Sequence, residues 1–256
     1  MIRGLIACAV ISALAPDAAA SEKLPITIRG KVVTLELYRP TLAATPKGTV
    51  LMSSGDVGWV GLAVDLAGFL ARQGYAVIGI NSRQYLSVFT SGTAHVTPAE
   101  VTRDYAAIAQ WLHERRTLWD PVIVAGVSEG AALAVLAGAG ANHAWVKGVM
   151  TLGLPASAEL AWRLRDLMKW ITRQDPGEPS FEPKDFLPLV SPRPLWMIQS
   201  TRDEYVTPRD YQQLEAAARS PKRLVLVDAA NHRFTDRLPV LREHVLEGLR
   251  WMQNPQ

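Results

Sequence analysis

Six short runs of apolar residues, at 48–53, 75–80, 121–125, 146–152, 194–199 and 223–228, limit what this chain can fold into. A strand with one wet face alternates polar and apolar residues. A run that is apolar at nearly every position is expected to be buried on both faces, as in a parallel sheet between two layers of helices. The stretches between the runs have helical spacing. Leu62, Leu66, Phe69 and Leu70 form one apolar stripe, closed by Gly74. Thr97-Pro-Ala-Glu100 has the order of a capping box with proline in the first turn, and Tyr105, Ile108, Trp111 and Leu112 follow on one face. Further helices are expected from Ala131 to Ala137, from Leu160 to Ile171 and from Val240 to Trp251. Ahead of them, 24–28 and 32–38 alternate and read as an antiparallel pair turning at Arg29-Gly30. The fold class is therefore α/β: a mostly parallel central sheet with antiparallel N-terminal edge strands and helices on both faces.

Composition narrows the function classes. Hydrophobic residues make up 48% of the 256 positions, too many for a disordered chain. The net charge of +3 comes from scattered basic residues, so no nucleic-acid footprint is expected. A single cysteine, Cys8, excludes an internal disulfide framework and a cysteine-rich zinc site. No metal or other cofactor is expected.

Cys8 lies in a stretch with the three parts of a secretory signal: Arg3, an apolar run from Gly4 to Ala15, and Ala18-Ala19-Ala20 before Ser21. Leu5-Ile-Ala-Cys8 also has the order of a lipoprotein box, with few residues before the cysteine. Cleavage after Ala20 is the simpler reading. It gives a leader at 1–20, a single domain at 21–256, and a periplasmic or secreted mature chain without cysteine. No later run is long enough to span a membrane.

Gly126-Val-Ser128-Glu-Gly130 follows directly on the run at 121–125 and opens the alanine-rich helix. At average glycine usage the pattern alone turns up by chance in roughly one chain in ten of this length. Its position between a strand and a helix is what gives it weight. A sharp strand-to-helix turn lifts the serine hydroxyl above the sheet, and its crowded neighbours must be glycine.

A hydroxyl needs a base, and the base needs an orienting carboxylate. His113 and His244 fall within helices, His143 lies beside a helix end, and His95 lies in a loop. His232 follows the last strand, at the carboxyl edge of the sheet where the serine also emerges. The acid is expected between them, after the run at 194–199, in Arg202-Asp203-Glu204-Tyr205-Val-Thr-Pro208, which reads as ending in a proline turn. Asp203 is the first choice and Glu204 its competitor. Oxyanion donors are expected from the backbone N–H of Glu129 and from an N–H near Asp56, in the glycine-containing loop Ser53-Ser-Gly-Asp-Val-Gly-Trp59.

On these residues the chain resembles the α/β-hydrolase superfamily over nearly the whole expected mature chain. Ser54-Gly55-Asp56-Val57-Gly58-Trp59, followed by Gly79-Ile-Asn-Ser-Arg83-Gln-Tyr85, looks like the bacterial virulence protein VirJ family, with Val57 where that family has a glycine and with Gln84 and Leu86 departing from its second motif. That resemblance implies export and hydrolysis of an aminoacyl-phospholipid ester; Gly55, Trp59 and Tyr85, which lie in these segments, are candidates for substrate contact. Asp203-Glu-Tyr-Val and Asn231-His232-Arg-Phe234 look equally like the dienelactone-hydrolase-like esterases.

The stretch between 152 and 194 is the longest excursion between strands, a small insertion before the strand that precedes the acid. Trp162 and Trp170 there are candidates for a lid, and Arg83 for contact with an anionic headgroup. The leading expectation is a serine hydrolase acting on a small-molecule or lipid ester, with peripheral contact to a membrane surface. An amidase or peptidase would use the same triad. A periplasmic binding or secretion accessory module that has lost catalysis is the reading from a different class.

Overall fold

The computed structural model describes residues 21–41, 45–140, 144–163 and 177–255. The expected leader with Cys8, His143, and residues 164–171 of the expected 160–171 helix, Trp170 among them, lie outside these residues. Residues 160–163 are described and are not helical.

The antiparallel pair forms as β1 (Glu22–Ile28) and β2 (Lys31–Tyr38), joined by Arg29-Gly30. Five of the apolar runs become β3 (Thr49–Ser53), β4 (Ala76–Ile80), β5 (Val122–Val127), β6 (Gly148–Leu152) and β9 (Leu195–Ser200), each buried at every position. The sixth becomes β10 (Lys222–Val227). Strand order in the sheet is β1-β2-β4-β3-β5-β6-β9-β10, antiparallel through β4 and parallel beyond it. The expectation of two-sided burial fails for β10. It is the last strand and has a neighbour on one side only, which leaves Leu226 46% exposed. A short antiparallel pair outside the main sheet, β7 (Ala158–Glu159) and β8 (Ser180–Phe181), was not expected from the sequence.

Helices cover both faces. On one lie α2 (Ser82–Phe89), α3 (Pro98–Glu114), α4 (Glu129–Gly138) and α5 (Pro208–Ala217). On the other lie α1 (Leu62–Arg72) and α6 (Leu238–Gln253). Each fully buried Leu, Ile or Val contributes about 1.5–3 kcal/mol, so these two clusters hold the sheet between the two helical layers. The capping box before α3 forms in both directions between Thr97 and Glu100. Thr207-Pro-Arg-Asp210 follows the same grammar, so the turn expected at Pro208 is the start of α5.

One polar network crosses the first face. The Tyr85 hydroxyl donates to Asp104 at 2.6 Å, and the Arg29 guanidinium donates to the same carboxylate at 2.8 Å. Burial, and then the charge of Asp104, holds the Tyr85 phenol far above its ordinary pKa. Through this network the β1–β2 turn, α2 and α3 are tied together.

Candidate active site

β5 ends at Val127 and α4 begins at Glu129, so Ser128 alone makes the turn, at φ 53° and ψ −124°. That conformation is costly for a residue with a Cβ and persists only where the surroundings enforce it. They do so here by close contact. A Cβ on Gly126 would lie 2.0 Å from the Gly130 carbonyl oxygen, and one on Gly130 would lie 2.2 Å from the Ser54 carbonyl oxygen. Ser128 N–H donates to the Leu152 carbonyl at 2.8 Å, which ties the turn to the end of β6. The serine is half-buried at the carboxyl edge of the sheet.

The loop after β3 lies beside it. A Cβ on Gly55 would sit 3.4 Å from the Ser128 Cβ, so this backbone approaches the serine closely. Two bonds from Ser82, in the first turn of α2, hold the loop: its N–H donates to Ser54 Oγ at 3.1 Å and its hydroxyl to the Ser54 carbonyl at 2.7 Å. Gly55-Asp56 and the first turn of α4, where Glu129 is the first residue, flank the serine. The Glu129 side chain turns to β7 and accepts from the Glu159 N–H.

His232 follows β10, and the acid turn follows β9; the two strands pair side by side, so their exits meet. Of the two neighbouring carboxylates, Asp203 meets the ring, with Oδ2 2.6 Å from Nδ1. Its other oxygen accepts from the N–H groups of Tyr205 (2.8 Å) and Val206 (3.0 Å). Glu204 accepts instead from the His232 backbone N–H at 2.8 Å. The Tyr205 ring stands edge-on to the imidazole at 5.3 Å. The Asp203 side chain is wholly buried and that of His232 is 8% exposed. With Nδ1 on the carboxylate, Nε2 is the ring nitrogen left for another partner.

Gly153 joins the two halves of the site. It follows Leu152, whose carbonyl holds Ser128. A Cβ on Gly153 would lie 2.6 Å from His232 Cε1, so the imidazole rests directly on its backbone. The signal for this residue was a glycine straight after an apolar run. Its meaning depended on a loop 79 residues away in the chain.

Two substrate candidates are placed elsewhere. Trp59 covers Gly79 on the α1 face and donates its indole N–H to the Tyr38 hydroxyl at 3.1 Å. Tyr85 is fully buried and bound to Asp104, because its side chain points under α2 rather than into the loop region. Arg83 and Trp162 come together, the guanidinium 4.2 Å above the indole ring. Trp162 also packs on the main core and donates its backbone N–H to Thr90 Oγ1 at 3.2 Å. Of the other described histidines, His95 is in a loop and His113 and His244 are in helices.

Among the described residues, no three His, Cys, Asp or Glu side chains converge as a metal site. No described helix is long and apolar enough to cross a membrane.

The model of the bacterial virulence protein VirJ family matches residues 48–185, more than half of the chain. The chain belongs to the VirJ family. The matched segment includes the loop at Asp56, Arg83 and the Ser128 turn, and ends before Asp203 and His232. Solved structures extend the likeness over the rest of this VirJ-family chain. The esterase domain of a Rhodothermus marinus protein is similar with a TM-score of 0.63 at 20% identity, over 91% of this chain and 98% of that one. A putative dienelactone hydrolase from Klebsiella pneumoniae subsp. pneumoniae MGH 78578 is similar with a TM-score of 0.68 at 16% identity, over 91% and 98%. XC6422 from Xanthomonas campestris, described as an α/β serine hydrolase without a lid, is similar with a TM-score of 0.58 at 18% identity, over 90% and 94%. These likenesses show the α/β-hydrolase fold. No curated protein matches the sequence.

Proposed function

We propose that this protein is a serine hydrolase that cleaves a carboxylic ester through an acyl-enzyme. The observation that carries the reading is the Asp203–His232 pair seated on Gly153, the residue after the one that holds Ser128. Ser128 Oγ attacks the ester carbonyl and passes its proton to His232. The oxyanion is held by the backbone N–H groups of Glu129 and Asp56. Collapse expels the alcohol, which takes the proton back from the imidazolium. Water then enters by the same route and releases the acid. Asp203 fixes the ring and stabilises its charged form throughout.

The esterase and hydrolase neighbours support this class by fold alone, and VirJ-family membership supports an aminoacyl-phospholipid ester as the substrate. Arg83 is consistent with contact to the phosphate of such a substrate. Among the described residues its guanidinium has no hydrogen bond or ion pair, only the Trp162 ring beneath it. The order of residues at 1–20 supports export, and the reading places the enzyme in the periplasm or outside the cell.

Labelling with a fluorophosphonate tests the mechanism. Modification mapped to Ser128, lost in Ser128→Ala together with nitrophenyl-ester turnover and with no change in circular dichroism, is the expected result. A correctly folded protein that takes no label at any pH would favour a binding module instead. Release of amino acid from vesicles containing aminoacyl-phosphatidylglycerol, set against simple esters and amides, tests the substrate.

A further inference from the structure

The acid turn touches His232 at three points through three consecutive residues. Asp203 holds ring nitrogen Nδ1, Glu204 holds the backbone N–H, and Tyr205 stands against the ring. The hydrolase reading gives work to the first of these contacts only. We infer that Glu204 is a positioning residue, which fixes the main chain of the histidine loop so that the imidazole meets Asp203 and lies on Gly153.

The bracing of the histidine loop supports this. Its internal bonds are local: Asn231 Oδ1 accepts from Arg233 N–H at 3.0 Å, and Asp236 Oδ1 from Ala230 N–H at 2.8 Å. They shape the loop, but they do not set its distance from the acid turn. The Ser200 hydroxyl and Arg202 Nε–H donate to the Ala229 carbonyl, at 3.0 and 3.3 Å, and tie only the start of the loop to the end of β9; the bond from the His232 N–H to Glu204 Oε2 joins the two loops at the residue whose ring must be placed. A carboxylate acceptor on a backbone N–H is a charge-assisted bond, about twice as strong as a neutral one. A carboxylate beside the one that orients the ring is therefore used on the backbone rather than on the imidazole.

The inference rests on the hydrolase reading for its catalytic consequence and not for its geometry, so two measurements separate them. The first is the low-field proton resonance of His232 Nδ1–H, which reports the bond to Asp203 without any substrate. The second is ester turnover. Glu204→Ala should broaden or lose that resonance with Asp203 intact, and lower kcat roughly 10- to 100-fold with little change in KM, the loss expected for an ångström of misplacement. Glu204→Gln keeps an acceptor oxygen and should restore the resonance and bring kcat to within a few-fold of wild type. A Glu204→Ala protein with wild-type resonance and kcat would overturn the inference. So would a folded Glu204→Gln protein as impaired as the alanine variant, since hydrogen-bond acceptance would then not be what matters. A wild-type protein that shows the resonance but turns over no ester would refute the hydrolase reading, and the resonances of the two variants would still decide the role of Glu204.

Discussion

The turn that carries Ser128 and the paired loops that carry Asp203 and His232 are held by different forces, although both serve one site. Backbone packing makes the serine turn. Gly126, Gly130 and the Ser54 carbonyl are in such close contact that no side chain fits between them. Side-chain hydrogen bonds make the acid–histidine pair, each to a named atom on the other loop or on its own. The first arrangement is specified by five consecutive residues packed against the Ser54 backbone and fails as a whole. The second is specified across 29 positions and fails one bond at a time. The lesson is that substitutions at the glycines of the first should cost folding and substitutions at the second should cost chemistry.

Gly126→Val presses that difference hardest. Even the first carbon of its side chain would overlap the Gly130 carbonyl, a backbone atom that cannot swing aside. The expected penalty is about 4 kcal/mol or more, at the extreme of single substitutions and a large part of the roughly 5–15 kcal/mol by which domains are stable. Soluble yield and urea unfolding should show a protein largely unfolded or absent. A stable, well-packed Gly126→Val protein would break the claim that backbone contact makes this turn.

Asp203→Asn should do the opposite. The amide is nearly isosteric and can still accept from Tyr205 and Val206, so near-ultraviolet circular dichroism and Tm should hardly move. It cannot stabilise the imidazolium or fix the required tautomer, and kcat should fall by about 10⁴-fold. Unfolding in this variant would show that the carboxylate is as structural as the glycines, and the contrast would fail.

How far each region was legible in the sequence follows from the same contrast. The serine turn could be read because its determinants are neighbours: an apolar strand, two glycines flanking a serine at two-residue spacing, and small residues after them. The five central strands were legible because burial on both faces leaves an unbroken apolar run. β10 has a similar run, and no pattern within it records that its outer neighbour is missing. The choice between Asp203 and Glu204 was open in the sequence because both are carboxylates in one turn. It depends on which of two His232 nitrogens each can reach. Tyr85 read as a candidate for substrate contact because its partner, Asp104, stands 19 positions away on another helix. α5 was missed, although Thr207-Pro-Arg-Asp210 repeats the grammar of Thr97-Pro-Ala-Glu100. Proximity to the acid made a turn the more natural reading there.

Tyr85 also extends the contrast to pH. It lies in α2, the helix whose Ser82 holds the Ser54 loop against the serine turn. Its phenol is held neutral well beyond its ordinary range, first by burial and then by the Asp104 charge. The folded pKa is raised above the unfolded value. The contribution is therefore complete below about pH 10 and is lost as pH rises further, because the unfolded chain releases the proton first. Tyr85→Phe should cost about 1.5–3 kcal/mol at neutral pH through the lost bond to a charged group. Above pH 10 its stability should fall less steeply than that of wild type, by up to about 1.4 kcal/mol per pH unit. Urea unfolding at pH 8 and pH 10.5 compares the two slopes, and parallel slopes would remove Tyr85 as the cause.

Thr207→Ala gives the smallest effect and the finest separation. Thr207 caps α5 by accepting from the Asp210 N–H at 3.3 Å, only four residues after the acid. Loss of a cap of this kind costs about 1 kcal/mol. If the acid turn depended on the helix for its shape, the same change would lower kcat. It should not, because Asp203 closes its own turn through Tyr205 and Val206 before the helix begins. The expected outcome is a Tm lowered by a few degrees, as a 1 kcal/mol loss gives in a domain of this size, with kcat/KM within about twofold of wild type. A drop in kcat/KM that tracks the loss of stability would mean that the carboxylate is held by the helix rather than by its own bonds. The acid–histidine pair would then be a packed unit like the serine turn.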